Sequence, residues 1–364
     1  MNKLLYVSNS TYPSLKANSV QVIKMCEEFG EHFDTTLTGF SSSGEYVDIY
    51  KQFDVKDSFK ISLYKPGKNI LYVIKLLFFI LFKKYDIYYS RNFLFAAIMS
   101  FFSKKVVFEC HIDPKDHPSY TKILHPFLKF TNLRIISISG KLKELIIERL
   151  NYHKKKDFIL VAHDAADDSK FDFEYSNIEE KDKIDVGYIG SLYKGRGLNI
   201  VSGLAKLNPS INFNVVGGSE KEIEELKKEY PFENLNFKGH VPYSDVPYYM
   251  SQQDIFLAPY QSKLNIAGFK INTVSYMSPL KVFEYMASRR PIIISKLEIF
   301  NEVMNSKSAY FADPDDINEW NKALNELVSN PLLYRDTAKR AYELFINEYT
   351  VKTRVRNISK FVNS

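Results

Sequence analysis

Short apolar segments of strand length alternate along the first half of the chain with segments whose apolar residues recur at helical spacing. The pattern predicts strands at Lys3–Ser8, Asp86–Tyr89, Lys105–Glu109 and Arg134–Ser139, and helices at Ser19–Phe29, Phe93–Phe102 and Lys141–Leu150. Strands that alternate with helices form parallel sheets with helices on both faces. The sequence therefore predicts an α/β fold.

The alternation restarts after a polar segment, Asp167–Lys183, which has no apolar period and is interpreted as a linker. Beyond it the pattern predicts strands at Ile184–Ile189, Ile211–Val216, Leu235–Phe237, Asp254–Ala258 and Pro291–Ser295. It predicts helices at Leu198–Leu207, Ser219–Tyr230 and Pro279–Arg289, and the last third, Ile317–Val362, is largely helical. We therefore expect two Rossmann-like domains, residues 1–168 and 169–345, and a helix at about 346–364 is a candidate to pack back on the first domain. The active site is expected in the cleft between them, beside the carboxyl ends of both sheets.

The composition fits a protein of about two domains. The chain has 364 residues, of which 45% are hydrophobic and 25% charged, and these values exclude collagen-like, disulfide-rich and disordered proteins. Two cysteines, Cys26 and Cys110, form at most one bridge, so a reducing cytoplasm is the simpler compartment. The first ten residues do not resemble a signal peptide. The longest apolar run, Ile70–Phe82, is too short to span a bilayer.

The formal net charge of +6 comes entirely from the first half. Residues 1–170 contain 25 Lys and Arg against 18 Asp and Glu, whereas the rest of the chain is nearly balanced. Either this half faces an anionic partner or the excess lies on a solvated surface, and charge alone favours the solvated surface.

A glycine-rich segment, Gly190–Gly197 (GSLYKGRG), lies between a predicted strand and a predicted helix. Such loops bind phosphate through backbone amides at the helix N-terminus. The dinucleotide fingerprint is absent. Arg196 and Gly197 replace the lysine and hydroxyl of a P-loop, which argues against ordinary ATP hydrolysis. Phosphate binding and a plain strand–helix turn both remain open.

A second segment, SPLKVFEYMASRR, predicts a helix with Ser278 as its cap and Pro279 in its first turn. Lys281 and Glu284 are three residues apart and share the face opposite the apolar one. A nucleotide lying along this helix would place its diphosphate at the lysine and its ribose hydroxyls at the carboxylate. The alternative is a solvent-exposed ion pair.

Further polar residues follow predicted strands of the first half. His111 comes after a strand, with Glu109 on the same strand face, and Asn18 and Ser19 lie in the expected loop after the first strand. A structural histidine and helix capping are the alternatives. No metal site is expected, and Asp313 and Asp315 are interpreted as turn and cap residues.

Together and in this order, the motifs resemble the family-4 retaining glycosyltransferases of the GT-B fold, of the bacterial surface-polysaccharide type. The matching segments are Tyr12–Phe29, Val107–His111, Gly187–Leu198, Val215–Gly218, Phe237–Tyr260, Ser278–Ser295, Ala312–Asp316 and Ile346–Val355. The resemblance implies an acceptor-binding first domain and a nucleotide-sugar-binding second domain. It also implies transfer from a UDP- or GDP-linked sugar, without a metal or another cofactor, to a glycan or a lipid-linked acceptor.

The resemblance also implies roles for individual residues. Glu284 matches the second glutamate of the Glu-x7-Glu motif, which binds the donor ribose. Arg196 and Lys281 match basic residues that hold the donor diphosphate, and His111 matches a histidine near the reacting centre; these three are the expected catalytic residues. The other expected donor-binding residues are Gly190, Ser191, Lys194, Gly217, His240, Val241, Tyr276, Ser278 and Leu280, and the expected acceptor-binding residues are Asn18 and Ser19.

Two positions depart from the family pattern. Tyr276 replaces the first glutamate of the motif, which contacts the donor sugar, and Ser191 replaces the usual loop arginine and leaves Lys194 and Arg196 to supply the charge. The departure at Tyr276 keeps an inactive nucleotide-sugar-binding subunit as an alternative. A GT-B-like nucleotide-sugar epimerase is the alternative among enzymes. The absent dinucleotide fingerprint disfavours an NAD-dependent oxidoreductase.

Under this resemblance the basic half is the acceptor half. Lysines flank its two apolar segments, at Lys65, Lys68, Lys83, Lys84, Lys104 and Lys105. Because anionic lipids attract such residues, we expect a cytoplasmic protein that contacts the inner face of the membrane peripherally. No nucleic-acid partner is expected.

Overall fold

The computed structural model describes residues 1–14, 17–42, 48–65, 69–82, 84–103, 105–116, 131–193, 195–262, 265–266 and 269–364. These residues form two compact units. The first comprises Met1–Ala165 together with Val351–Ser364, and the second comprises Ala166–Thr350.

The sheet of the first unit consists of parallel strands. They are β1 (Lys3–Tyr12), β2 (Asp34–Ser41), β3 (Lys60–Tyr64), β4 (Ile87–Ser90), β5 (Val106–Cys110), β6 (Arg134–Ser137) and β7 (Ile159–Val161). Their order is β3-β2-β1-β4-β5-β6-β7. Every residue of β4 and β5 is buried, as expected where helices cover both faces of a parallel sheet.

The helices of the first unit come from both ends of the sequence. They are α1 (Ala17–Gly30), α2 (Ile49–Phe53), α3 (Asn69–Phe82), α4 (Phe93–Met99), α5 (Gly140–Arg149) and α12 (Val351–Asn363). Helix α12 packs against α1. Side chains cap three of these described helices, α2, α4 and α5, through Asp48, Asn92 and Ser139, which accept from the amides of Lys51, Phe95 and Leu142.

The second unit repeats this plan. Its strands are β8 (Asp185–Ile189), β9 (Asn212–Val216), β10 (Leu235–Gly239), β11 (Ile255–Ala258), β12 (Asn265–Ile266), β13 (Phe269–Asn272), β14 (Ile292–Ser295) and β15 (Tyr310–Ala312). Six of them form a parallel sheet in the order β10-β9-β8-β11-β14-β15, and β12 and β13 form an antiparallel pair. The strand order reverses between β8 and β11, which is where parallel sheets of this kind bind ligands.

The helices of the second unit are α6 (Leu198–Leu207), α7 (Glu220–Glu229), α8 (Val246–Ser251), α9 (Leu280–Ala287), α10 (Ile317–Ser329) and α11 (Pro331–Glu348). Helix α7 begins with a reciprocal capping box between Ser219 and Glu222. The core between sheet and helices includes Trp320, which is fully buried and donates its indole N–H to the carbonyl of Asp313 at 2.8 Å.

The prediction of an α/β fold with two Rossmann-like sheets is confirmed. The hydrophobic pattern missed β2 and β3. In β2 the buried positions include Thr35, Thr36 and Thr38, which count as polar in the sequence although threonine packs well in strands. Strand β3 lies at the edge of the sheet, where none of its residues is fully buried.

Three local predictions were wrong. Asp167–Lys183 is not a free linker, since Phe171 and Ile178 are buried in the cores of the second unit. Ser278 does not cap the helix predicted at Pro279–Arg289, because the cap position falls at Pro279, where no side chain accepts a hydrogen bond. That helix ends early because Arg289 adopts a φ of 57°.

Two findings concern disulfide bonds and membrane-spanning helices. Cys26 and Cys110 are both free and buried. Among the described residues, every helix is too short or too polar to cross a bilayer.

Candidate functional site

The loops that follow three neighbouring strands of the second unit meet at one pocket. Gly190 follows β8, Gly217 follows β9 and His240 follows β10. The pocket has a volume of about 580 Å³, and its lining residues are Ile189, Gly190, Ser191, Leu192, Tyr193, Val216, Gly217, Gly218, Ser219, Glu222, His240, Val241 and Val246. The structure thus brings together five residues that the sequence assigns to the donor: Gly190, Ser191, Gly217, His240 and Val241.

The floor of this pocket requires glycine. Gly217 has a φ of 131°, and its amide donates to the carbonyl of Gly239 at 2.7 Å. A Cβ atom at Gly217 would lie 2.0 Å from the carbonyl oxygen of Gly190. The two glycine turns are therefore packed backbone to backbone, which leaves room for a ligand to approach their peptide groups.

Lys281, near the start of α9, lies beside the Gly190 turn. A Cβ atom at Gly190 would be 3.7 Å from its Nζ. The ammonium group lies over the rings of Tyr188 and Tyr260, at 4.3 and 4.6 Å from their centroids. Burial lowers the pKa of Lys281 well below its ordinary value, and the nearby Arg196 lowers it further. An anion at this position would oppose that shift and favour the charged form of Lys281.

Arg196 is held by a second group of aromatic rings. Its guanidinium carbon lies 4.8 Å from the ring centroid of Tyr193 and 5.6 Å from that of Tyr260. The guanidinium also donates to the Tyr193 hydroxyl, while its Nε is buried without a hydrogen-bond partner among the described residues. Tyr260 thus contacts both cations, and an unpaired buried donor of this kind suits an incoming anion.

Glu284, one turn after Lys281 on α9, is held by Tyr243. The Tyr243 hydroxyl donates to Oε1 of Glu284 at 2.8 Å. Burial raises the pKa of Glu284 to about 7, and the contacts with Tyr243 and Lys281 only partly oppose this shift. The Glu284 carboxyl group is therefore half-buried and bonded to Tyr243, and it is not half of an exposed ion pair.

Three further residues that the sequence assigns to the donor are not among those lining the pocket. Tyr276 is buried in a turn before α9, Ser278 is half-buried, and Leu280 is the first residue of that helix. Lys194 lies outside the described residues.

In the first unit, Glu109 at the end of β5 is the centre of a buried polar cluster. Oε1 lies 2.8 Å from Nη2 of Arg91 and 2.8 Å from Nη2 of Arg354, a residue of α12. Oε2 accepts from the hydroxyls of Tyr6 and Tyr89 at 3.3 and 2.6 Å. Burial alone would raise the pKa of Glu109, but the two guanidinium groups outweigh it and hold that pKa well below its ordinary value. The two guanidinium groups therefore favour the ionised form of Glu109.

His111 joins this cluster, as its position two residues after Glu109 predicts. Its Nε2 lies 2.9 Å from Oε1 of Glu109, and its side chain is 28% exposed. Asn18 and Ser19 lie in the first turn of α1 rather than in a loop. The Asn18 side chain donates to Ser10 at 3.0 Å and accepts from Arg91, whereas Ser19 is only 3% exposed.

Glu109, His111 and Asp164 each bring one atom within 4.8 Å of the others, a spacing that a metal ion could bridge. However, Nη2 of Arg354 lies 2.8 Å from Glu109 and 3.8 Å from Asp164. A guanidinium group already supplies the positive charge that these two carboxylates need, so we interpret the group as an ion-pair cluster.

The acidic pair near the end of β15 forms a turn, as its spacing predicts. The Asp313 carboxylate accepts from the amide of Asp315 at 2.9 Å. The cap of α10 is Asp316, however, and neither of the two predicted residues.

Sequence reasoning missed Arg91, Arg354, Tyr243 and Tyr260. Arg354 lies 245 residues from Glu109 along the chain, and no local spacing predicts such a contact. Tyr243 and Tyr260 lie within the matching segment Phe237–Tyr260, but each acts through a residue of another segment. A search for aromatic residues at the ends of predicted strands would have found Tyr260.

Residues 168–344 match the family model of glycosyl transferases group 1, a range that contains the whole pocket. The fold of the two units is that of the GT-B glycosyltransferases. None of the curated protein sequences matches the chain significantly.

Solved structures of this fold superpose over nearly the whole chain. Anabaena HepE in complex with UDP has a TM-score of 0.76 at 15% identity, with 99% of each chain covered. The sucrose-phosphate synthase of Thermosynechococcus elongatus has a TM-score of 0.73 at 12% identity, covering 100% of this chain and 98% of its own. The lipopolysaccharide outer core galactosyltransferase WaaB has a TM-score of 0.68 at 15% identity, with 99% of each chain covered.

Proposed function

We propose that this protein is a retaining glycosyltransferase that uses a nucleotide-sugar donor and acts in the synthesis of a surface polysaccharide such as capsule, O-antigen or lipopolysaccharide. The observation that carries the proposal is the pocket at the ends of β8, β9 and β10, with its packed glycine turns and with Lys281 beside Gly190. Two similar structures support it, because HepE was solved with UDP-glucose and WaaB is a galactosyltransferase of the lipopolysaccharide outer core.

Each part of the donor nucleotide has a matching group in the second unit. The ribose hydroxyls donate to Glu284, the diphosphate meets Lys281 and Arg196 and the amides after Gly190, and the base, of UDP or GDP, lies against His240 and Val241. Charge-assisted hydrogen bonds of this kind are worth about 1.5–3 kcal/mol each.

The proposed reaction uses the two cations where charge develops. As the glycosidic bond breaks, the leaving diphosphate gains negative charge, and Arg196 and Lys281 stabilise it without a metal ion. The acceptor hydroxyl then attacks from the face that the leaving group has left and passes its proton to a phosphate oxygen. This route retains the anomeric configuration and uses no protein nucleophile.

The first test is donor binding. UDP-, GDP-, ADP- and CMP-sugars should be compared by thermal shift and calorimetry, and we expect a UDP- or GDP-sugar to bind. The Arg196→Ala, Lys281→Ala double variant should lose transfer by several orders of magnitude. The matched control, Lys206→Ala with Arg340→Ala, removes two exposed cations of the same unit and should transfer normally. Near-normal turnover in the first double variant would contradict the roles of these residues, and no binding by any sugar nucleotide would overturn the function.

The acceptor is proposed to be a glycan or a lipid-linked glycan at the cytoplasmic face of the membrane. Leu71, Ile74 and Phe78 share one face of α3 and are 52%, 42% and 61% exposed, and Phe102 is 79% exposed. Lys75 lies exposed on the same helix. Apolar side chains beside exposed lysines suit an anionic bilayer.

Vesicle binding tests this contact. The protein should sediment with phosphatidylglycerol vesicles and not with phosphatidylcholine vesicles, and the Leu71→Ser, Phe78→Ser variant should remain in solution. Leu332→Ser, which changes an exposed apolar residue of the second unit, should bind like wild type. Absence of sedimentation at every salt concentration would exclude the membrane contact.

A further inference from the structure

The hydrogen bonds around Glu109 fix which nitrogen of His111 carries a proton. Glu109 is fully buried and ionised, so its carboxylate can only accept hydrogen bonds. The Arg91 and Arg354 guanidinium groups can only donate, and the Tyr6 hydroxyl donates to Oε2. The Nε2 of His111, at 2.9 Å from Oε1, must therefore also be a donor. In the neutral ring this leaves Nδ1 with a lone pair.

The carboxylate cannot move away from the imidazole easily. Oε1 is bound by guanidinium groups from two separate elements, since Arg91 follows β4 and Arg354 belongs to α12. Arg354 is itself fixed by the carbonyls of His163 and Ala162, at 2.6 and 3.3 Å. The orientation of the His111 ring is therefore set by a rigid buried group, while part of the ring is exposed.

We propose that Glu109 is a positioning residue that holds His111 in its Nε2–H tautomer, so that His111 meets its ligand as a hydrogen-bond acceptor through Nδ1. A neutral acceptor nitrogen suits the hydroxyl of a sugar and does not suit a phosphate oxygen, which also only accepts. The identification of the ligand as a sugar rests on the proposed glycosyltransferase function; the tautomer rests on the geometry alone.

The tautomer can be measured without any turnover. Long-range ¹H–¹⁵N correlation spectra of the labelled protein at about pH 8, above the usual titration range of imidazole, distinguish the two ring nitrogens of each of the 7 histidines. The signals of His111 are those lost in His111→Ala. We expect a protected proton on Nε2 and a bare Nδ1. A proton on Nδ1 in the wild-type protein would overturn the proposal.

Glu109→Asp tests the positioning role. It keeps the negative charge inside the cluster but withdraws the carboxylate from the ring by one methylene. The protected Nε2 proton should then exchange rapidly with water, whereas Glu148→Asp, an exposed residue of the same unit, should leave it unchanged. An unaltered Nε2 proton in Glu109→Asp would refute positioning by Glu109. If that variant does not fold, Tyr6→Phe, which removes one donor from Oε2, serves instead and should shift the Nε2 proton resonance.

Binding experiments separate the sugar from the diphosphate. His111→Ala should weaken UDP-glucose, or GDP-mannose if the donor is a guanosine nucleotide, by about five- to tenfold and leave UDP or GDP unchanged. An equal loss of affinity for the sugar nucleotide and for the free nucleoside diphosphate would place His111 at the diphosphate. No loss for either would mean that His111 does not contact the donor. Both results would overturn the proposed ligand. If none of these nucleotides binds, both the proposed glycosyltransferase function and the sugar ligand of His111 are refuted. The tautomer proposal is then still decided by the NMR measurement.

Discussion

Replacing Arg354 with methionine removes one of the two guanidinium groups that neutralise Glu109. Arg354 is only 2% exposed, and besides the ion pair at 2.8 Å it donates to the carbonyl of His163 at 2.6 Å. Breaking a buried ion pair costs about 3–5 kcal/mol. Because Arg91 still neutralises the carboxylate, we expect the lower end of this range, about 3 kcal/mol of unfolding free energy.

Urea unfolding measures this loss, and the chain offers an internal reference. Its single tryptophan, Trp320, is buried in the second unit, so tryptophan fluorescence follows that unit, whereas circular dichroism follows both. The loss should appear in the circular dichroism transition. Arg356→Met changes an exposed arginine of the same helix and should alter the free energy by less than about 0.5 kcal/mol. A loss below about 1 kcal/mol in Arg354→Met would refute the reasoning.

Three further predictions concern the second unit. Gly217→Ala places a Cβ atom 2.0 Å from the carbonyl oxygen of Gly190, at a residue whose φ is 131°. The variant should have a lower melting temperature and, by calorimetry, a weaker affinity for UDP. An unchanged affinity would contradict the close packing of the two turns. Burial raises the pKa of Glu284 from 4.5 to about 7, so between these values the folded protein keeps a proton that the unfolded chain releases. As the pH rises from about 5 to 7, the unfolding free energy should therefore fall more steeply in wild type than in Glu284→Gln. Equal slopes would argue against the shift. Burial also lowers the pKa of Lys281, so Lys281 should take up a proton when UDP binds at alkaline pH. The binding enthalpy measured by calorimetry should then depend on the ionisation enthalpy of the buffer, and Lys281→Met should lose that dependence.

The sequence predicted the sheets best where apolar runs are buried on both faces. Helix α6 was predicted with its observed bounds, Leu198–Leu207, because its apolar residues recur at helical spacing and Gly197 precedes it. Strand β2 was missed because its threonines are buried without being apolar. A two-way division into apolar and polar residues cannot detect such a strand.

The pocket could be predicted because it is built from short segments that each begin at the end of a strand. Gly190, Gly217 and His240 are far apart in sequence, but parallel strands bring their carboxyl ends to one edge of the sheet. The groups that hold the charged side chains could not be predicted in the same way. The contact between Tyr243 and Glu284 joins different segments, and it depends on packing that a linear pattern does not contain.

The first unit is built from two separate parts of the chain, and this has a consequence for its biosynthesis. Its sheet is encoded by Met1–Ala165, but helix α12, which carries Arg354, is translated only after the whole of Ala166–Thr350. On the ribosome the second unit has all its residues available before the first, although its sequence begins later. Until then Glu109 lacks the guanidinium group of Arg354 and has only that of Arg91. During this interval the nascent first unit is most accessible to chaperones and proteases.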